Sequence, residues 1–336
     1  MRSMLAVAVL GLFCGFVPGA HAQDAPSADQ VQAWVAQLGH EDFAKRAEAE
    51  EKLLQAGPAA EAALEKAALS DDIETKQRAG RLLGKLKTEP LLAKMTESAA
   101  KAQSLEADFE MKMSMMGMQT GGAGHFKGKG DSSKFIMDMT MQVMGQEMKM
   151  NMVNDGTTVW IETTMPGGQG KMVQKMSGEM MKKLGGQQGG SPMDQVQQMR
   201  KTYDFTEVSE DKLGERAVYV LKGKIKANAA DEAAKRAEEV GGAQAAAMAR
   251  AQMQGMDSAT IYIDKEDLLV RKLNVLDAQG AAVMEMDMKN MKINVELKED
   301  EFKYTPPEGA TVMDVEEMLR KAKEGGGAAP APDGGF

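Results

Sequence analysis

The chain has 336 residues, with 41 Lys and Arg against 50 Asp and Glu, for a formal charge of -9. That length suits one or two domains with a real core, and the acidic balance argues against a phosphate-backbone binder, so no nucleic-acid partner is expected. Aromatic residues make up only 4% of the chain while methionines number 31, so flexible thioethers carry much of the apolar mass. One cysteine and three histidines leave little for a zinc site, a thiol nucleophile or a Ser-His-Asp relay. The expectation is a protein without enzymatic activity, catalytic residues, resident metal or cofactor.

The chain opens with Met1 and Arg2, continues in an apolar run from Leu5 to Val17, and reaches Gly19, Ala20, His21 and Ala22 before Gln23 and Asp24. This reads as a cleavable signal peptide, residues 1–22, cut after Ala22, because the apolar core is too short to anchor and Ala20 and Ala22 are small. The lone Cys14 falls inside it behind bulky Leu12 and Phe13, which argues against lipid attachment there. The mature chain is then free of cysteine and directed to the periplasm or outside the cell. No later stretch is long and apolar enough to form a transmembrane helix.

Residues 27–88 are alanine-rich, with Val31, Trp34, Val35, Leu38, Leu53, Leu54, Leu64, Leu82, Leu83 and Leu86 at helical spacing. Breaks at Gly39-His40, Gly57-Pro58 and Ser70-Asp71-Asp72 divide the segment into about four helices. Asp42-Phe43 aligns with Asp72-Ile73, Ala49 with Ala79 and Leu53 with Leu83, the pattern of a small HEAT-like repeat domain. Such a unit offers a surface for an envelope protein partner or acts as a spacer. His40, Lys45 and Arg46 read as solvated.

After Pro90 a helix continues to about Gln103, and then the apolar period falls from helical spacing to two. Phe109, Met111, Met113 and Met115 alternate with polar residues, as do Met137, Met139 and Met141, then Met148, Met150 and Met152, and later Met284, Met286 and Met288. Each run reads as a strand with one apolar and one wet face. Turns at Met144-Gly145-Gln146 and Asn154-Asp155-Gly156 make an antiparallel meander. Further strands are expected over 157–163, 203–208, 217–226, 259–263, 270–276 and 293–297, for roughly ten in all. Lys127-Gly128-Lys129-Gly130 reads as a turn, His125 as a strand-edge histidine, and Glu162, Glu285 and Asp287 as solvated. Within residues 165–201 two short helices, near 177–184 and 192–201, could form a lid. Residues 229–253 read as an alanine-rich helical insertion, and 325–336 as a disordered tail.

Three readings of the methionine stripes stay open. They are ordinary core, an adaptable surface for acyl chains, or a set of soft ligands for Cu(I). Thioethers two apart along a strand are separated by about 6.6 Å, so a metal needs specific pairs across strands. For the lipid reading, burying an acyl chain of about 16 carbons gains on the order of 10 kcal/mol before entropy losses.

Several stretches together carry a family resemblance. They are Ser104-Leu105-Glu106-Ala107-Asp108-Phe109, Asn154-Asp155-Gly156-Thr157-Thr158-Val159-Trp160, Leu213-Gly214-Glu215-Arg216-Ala217-Val218-Tyr219-Val220-Leu221, Ile261-Tyr262-Ile263-Asp264-Lys265, and the segment from Phe302 to Gly309. In this order the region 90–321 resembles the LolA-like superfamily of periplasmic lipoprotein carriers and lipoprotein-sorting proteins. The resemblance implies an α+β fold, an antiparallel half-open β-barrel with covering helices, whose inner face receives lipid acyl chains or lipidated proteins. The expected lining is Met111, Met113, Met115, Met137, Met139, Met141, Met148, Met150, Met152, Trp160, Met284, Met286 and Met288. A Cu(I)-binding protein, or a LolA-like sensor or scaffold without ligand, is the alternative.

Overall fold

A computed structural model describes residues 25–115, 118–131, 133–143, 145–164, 170–183 and 192–324. The signal segment, residues 184–191 of the expected lid, Met144 and the tail from 325 lie outside the described residues. The helices and strands in chain order are α1 (Ala28–Ala36), α2 (Phe43–Ala56), α3 (Glu61–Ala67), α4 (Ile73–Lys101), β1 (Ser104–Met115), β2 (Met118–Lys129), β3 (Phe135–Val143), β4 (Gln146–Asn154), β5 (Thr158–Thr164) and β6 (Lys171–Ser177). There follow α5 (Gly178–Lys183), α6 (Pro192–Thr202), β7 (Tyr203–Leu213), β8 (Arg216–Ile225), α7 (Ala229–Met253), β9 (Ser258–Asp264), β10 (Val270–Leu276), β11 (Ala282–Ile293), β12 (Thr311–Asp314) and α8 (Val315–Glu324).

Side-chain caps start α1, α2 and α4. Ser27 and Gln30 form a reciprocal capping box on α1, Asp42 accepts from the Ala44 amide at 2.8 Å, and Asp72 accepts from the Thr75 amide at 2.6 Å. The four helices close on Val31, Leu38, Leu53, Leu64, Ala79 and Leu82. Arg46 is not the solvated residue the sequence suggested. Its guanidinium donates to the carbonyls of His40 and Glu41 and lies 3.3 Å from Glu74. Arg78, which pairs with both Glu50 and Glu74, completes this link between α2 and α4.

The boundary expected at 88–90 falls inside α4, which runs unbroken through Pro90. Proline costs an internal helix about 3 kcal/mol and one hydrogen bond, and packing on both sides offsets it. The first half of α4 belongs to the helical core, whereas Leu91, Leu92 and Met95 enter a second core with Phe205, Leu221, Ile261 and Val275 of the sheet. A strand bulge between Phe205 and Glu207 turns the Thr206 carbonyl toward Gly84, and Thr88 Oγ1 donates to the Phe205 carbonyl at 2.9 Å. The helix thereby sits against β7, one edge of the sheet.

All twelve strands form one open, curved sheet in the order β12-β6-β5-β4-β3-β2-β1-β11-β10-β9-β8-β7. Neighbours are antiparallel except for β12, which lies parallel to β6. The meander appears as expected, with Gly145 and Gly156 at positive φ in its turns. Three sequence expectations need correction. The glycine-rich stretch containing Lys127 and Lys129 is the strand β2, between β1 and β3, not a turn. Residues 171–177 form β6. The run expected as a strand over 293–297 leaves the sheet after Ile293, because Asn294 adopts φ 56 and starts an irregular strap.

Candidate functional site: the inner face of the sheet

Strand register places the methionine runs on a common face. Met111 stands opposite Met286 and Met113 opposite Met284 between β1 and β11. Between β3 and β4, Met137 pairs with Met152, Met139 with Met150 and Met141 with Met148. Directly opposed residues project from the same side of a sheet, and β2 links the two groups with Gly122 between Met111 and Met141, and Gly124 between Phe109 and Met139.

Those glycines are required both by the side chains that lie over them and by the β3 backbone, whose Thr140 and Asp138 carbonyl oxygens would lie 2.9 and 2.3 Å from a Cβ at Gly122 and Gly124. A Cβ at Gly122 would fall 2.9 Å from Met141 Cγ, and one at Gly124 would fall 2.5 Å from the Phe109 ring. The neighbouring strands therefore lean their side chains across β2, which carries little bulk of its own on this face.

Helices cover the same face. Met180 and Met181 of α5 and Val315 of α8 pack on a cluster of Phe109, Phe126, Phe135, Met137, Met139 and Met152. On the other side, Val196 and Met199 of α6 join α4 over β7 to β11. Met137, Met139 and Met152 are buried, while Met111, Met113, Met141, Met148, Met150, Met284, Met286 and Met288 are partly buried. For Met115 only the backbone, at the end of β1, is described. Among the described residues, a recess of about 20 Å³ on this face is bordered by Leu105, Val196, Leu269, Val270, Met288 and Met291. That space suits about one water molecule.

Trp160 does not belong to this face. It stands opposite Val153 and Lys175, whereas Ile161 stands opposite Met152, so Trp160 projects from the outer side. There its ring lies 5.5 Å from Tyr304, and its indole donates to Asp155 at 3.3 Å. Alternation in the sequence already carried this signal: Val159 and Ile161 share the parity of the methionines, and Trp160 shares that of Glu162.

The strap after Ile293 crosses the outer face. Ser104 Oγ donates to the Val295 carbonyl at 2.6 Å, Glu299 meets Lys129 and Lys134, Glu301 meets Lys127, and Phe302 is buried. Tyr304 donates to Glu162 at 2.6 Å, and Glu162 also pairs with Lys171 at 2.7 Å. Glu162 is therefore a partnered and well covered residue, not a freely solvated one. Burial pushes its carboxyl up, but the Lys171 and Tyr304 bonds outweigh this and hold it below the usual range. Burial, reinforced by Glu162, raises the Tyr304 phenol. His125 lies inside β2 on the outer face, with Nδ1 2.8 Å from Asp108.

Sequence reasoning also passed over a buried ion cluster at the end of β9. Asp264 is buried, accepts the Glu266 amide at 2.9 Å, and lies 2.7 Å from Arg216 and 3.3 Å from Arg271. Burial raises its carboxyl, yet the amide and the two guanidinium groups bring it below the ordinary aspartate value. Arg271 also pairs with Asp267, whose carbonyl accepts from Ser98 of α4. The cluster ties the β9–β10 turn to the helix that covers the inner face.

Among the described residues, no group of three His, Cys, Asp or Glu is arranged to hold a metal ion, and no helix is long and apolar enough to cross a membrane.

An open antiparallel sheet with helices on its apolar face is the architecture that the sequence motifs led one to expect. The chain belongs to the family of unknown function DUF6612, whose model matches residues 87–305. No curated protein matches it. Among solved structures, it is similar to an uncharacterized conserved protein from Thermus thermophilus, at 12% identity over 68% of this chain and 99% of that one, with a TM-score of 0.41. The Mycobacterium tuberculosis lipoprotein LppX is similar at 10% identity over 62% of this chain and 98% of its own, with a TM-score of 0.36. A LolA superfamily protein from Nitrosomonas europaea is similar at 10% identity over 65% and 97%, with a TM-score of 0.27. These likenesses concern the fold.

Proposed function

We propose that this protein is an exported, non-enzymatic carrier that holds lipid acyl chains, free or attached to a protein, against the methionine face of its sheet. One observation carries the reading: methionines from four strands stand in register on a single helix-covered face, buried at one end and partly open at the other. Unbranched thioethers repack around irregular apolar ligands at little cost. Transfer then needs no covalent step.

The recess of about 20 Å³ is far smaller than the several hundred Å³ that a bound chain would fill. The chain therefore enters by parting the α5 and α6 cover from the sheet, and the ligand stabilises that open state by its preference for it. The N-terminal helical unit, read as a HEAT-like pair, supplies a surface for an envelope partner. Cleavage after Ala22 would release the mature protein to the periplasm.

Native mass spectrometry of protein purified from the envelope tests this. Co-purifying lipid, and saturable uptake of a fluorescent fatty acid, are expected. A clean unliganded mass with no uptake would overturn the proposal.

A further inference from the structure

Ordinary core packing is a poor explanation for methionine at every inward position of β1, β4 and β11 between residues 111–113, 148–152 and 284–288. Burying methionine costs about 1.5–2 kcal/mol of side-chain entropy against about 0.5–1 for leucine or isoleucine, and strands favour β-branched residues. Sulfur itself is the property that the alternatives lack.

We propose that Met111 and Met113 of β1 with Met284 and Met286 of β11, flanked by Met141 of β3, form a binding site for a soft monovalent cation, Cu(I) or its analogue Ag(I). The register supplies what a metal requires and what alternation alone could not establish, namely thioethers facing one another across strands. Met111 is directly opposite Met286, and Met113 is opposite Met284, which places each pair of Cβ atoms about 5 Å apart. A further thioether flanks the set on β3: Gly122 carries no side chain on the intervening β2, and Met141 Cγ lies 2.9 Å from where a Cβ at 122 would be. All five side chains are partly buried, reachable from solvent yet shielded from it. Met111 and Met113 on β1 and Met284 and Met286 on β11 make a two-by-two set about 5 Å by about 6.6 Å, within which thioether side chains can converge, and thioethers select Cu(I) over harder ions. The carboxylates of these strands, Glu110, Glu285 and Asp287, alternate onto the outer face and offer no competing hard ligands.

The proposal is tested separately from the carrier reading, because leucine is close to methionine in volume and apolarity but has no sulfur to bind the ion. The five residues are replaced together by leucine, a class of exchange that costs less than about 1.5 kcal/mol per site. Cu(I) is titrated under reductant against a chromogenic chelator, with Ag(I) followed by the methyl resonances of labelled methionine. Wild type is expected to withdraw Cu(I) from the chelator and to shift the Met111, Met113, Met284 and Met286 methyls. The leucine variant should bind at least about tenfold more weakly while keeping its circular dichroism spectrum. Exchanging Met137, Met139 and Met152 for leucine should leave metal affinity unchanged. Wild-type affinity of micromolar or weaker, or equal affinity in the five-residue variant, would overturn the site. Lost fatty-acid uptake alone would bear on the carrier reading only.

Discussion

Gly84 of α4 and Thr206 of β7 approach so closely that a Cβ on the glycine would lie 2.0 Å from the threonine carbonyl oxygen. The contact is with backbone, so no side-chain rotation relieves it. In an open helix, glycine to alanine gains up to about 1 kcal/mol. Gly84→Ala should instead destabilise by about 3 kcal/mol or more, because the helix must leave the sheet edge. A Cβ on Gly80, one turn earlier, would meet nothing within 4 Å. Gly80→Ala should therefore be stabilising by about 0.5–1 kcal/mol. Urea midpoints of the two variants check the opposite signs.

On the inner face, size and sulfur separate cleanly at Met139. The residue is buried between Gly124 on one side and Met150 on the other. Met139→Ala should cost about 2–5 kcal/mol through lost contacts and a residual cavity. Met139→Leu should cost less than about 1.5 kcal/mol. Equal losses measured by denaturant unfolding would show that packing shape, not volume, governs this part of the core.

Outer and inner faces should respond differently to substitution. Trp160→Ala removes the ring contact with Tyr304, and Tyr304→Phe removes the donor to Glu162. Both should loosen the strap, with faster amide exchange over residues 295–310 and lower thermal stability, the tryptophan variant by about 2 kcal/mol or more. Fatty-acid affinity should be unchanged in folded protein, since neither side chain reaches the inner face. Weakened uptake at unaltered exchange would reassign Trp160 to the ligand site.

Acid should release the strap. Hydrogen bonds from Lys134 and Lys129, together with their charges, lower Glu299 to about 2 from a usual 4.5. A carboxyl depressed in the folded state stabilises fully above its unfolded value and loses that contribution as pH falls through the folded one. The window is therefore about pH 4.5 down to about 2. The group is exposed, so the effect is modest and screened by salt. Replacing both lysines with glutamine should flatten the pH dependence in this range, read by thermal unfolding at low ionic strength. An unchanged slope would mean that the Glu299 pairs with Lys129 and Lys134 contribute nothing to holding the strap.

Much of the molecule was legible from period alone. Helical spacing gave the N-terminal helices, and period-two alternation put Met137, Met139 and Met141 on one side of a strand, because these signals are local to each segment. The same alternation, applied strictly, would have moved Trp160 to the outer face and added Val159 and Ile161 to the inner one. The glycine-rich run at 121–130 was opaque, since glycine shows no apolar pattern and resembles a turn until its neighbours are known.

The sequence by itself determined which side chains share a face within each strand, because successive residues of an extended chain point in opposite directions. Only the tertiary structure decided which strands lie side by side. It placed β2 between β1 and β3, so that Met141 leans across Gly122, and brought the strap over Trp160. It also carried α4 through Pro90, because the packing of both cores outweighs the local cost of the proline. Pairing joins residues far apart in the chain, and its geometry is fixed by the free energy of the assembled sheet and its cover, not by any one segment.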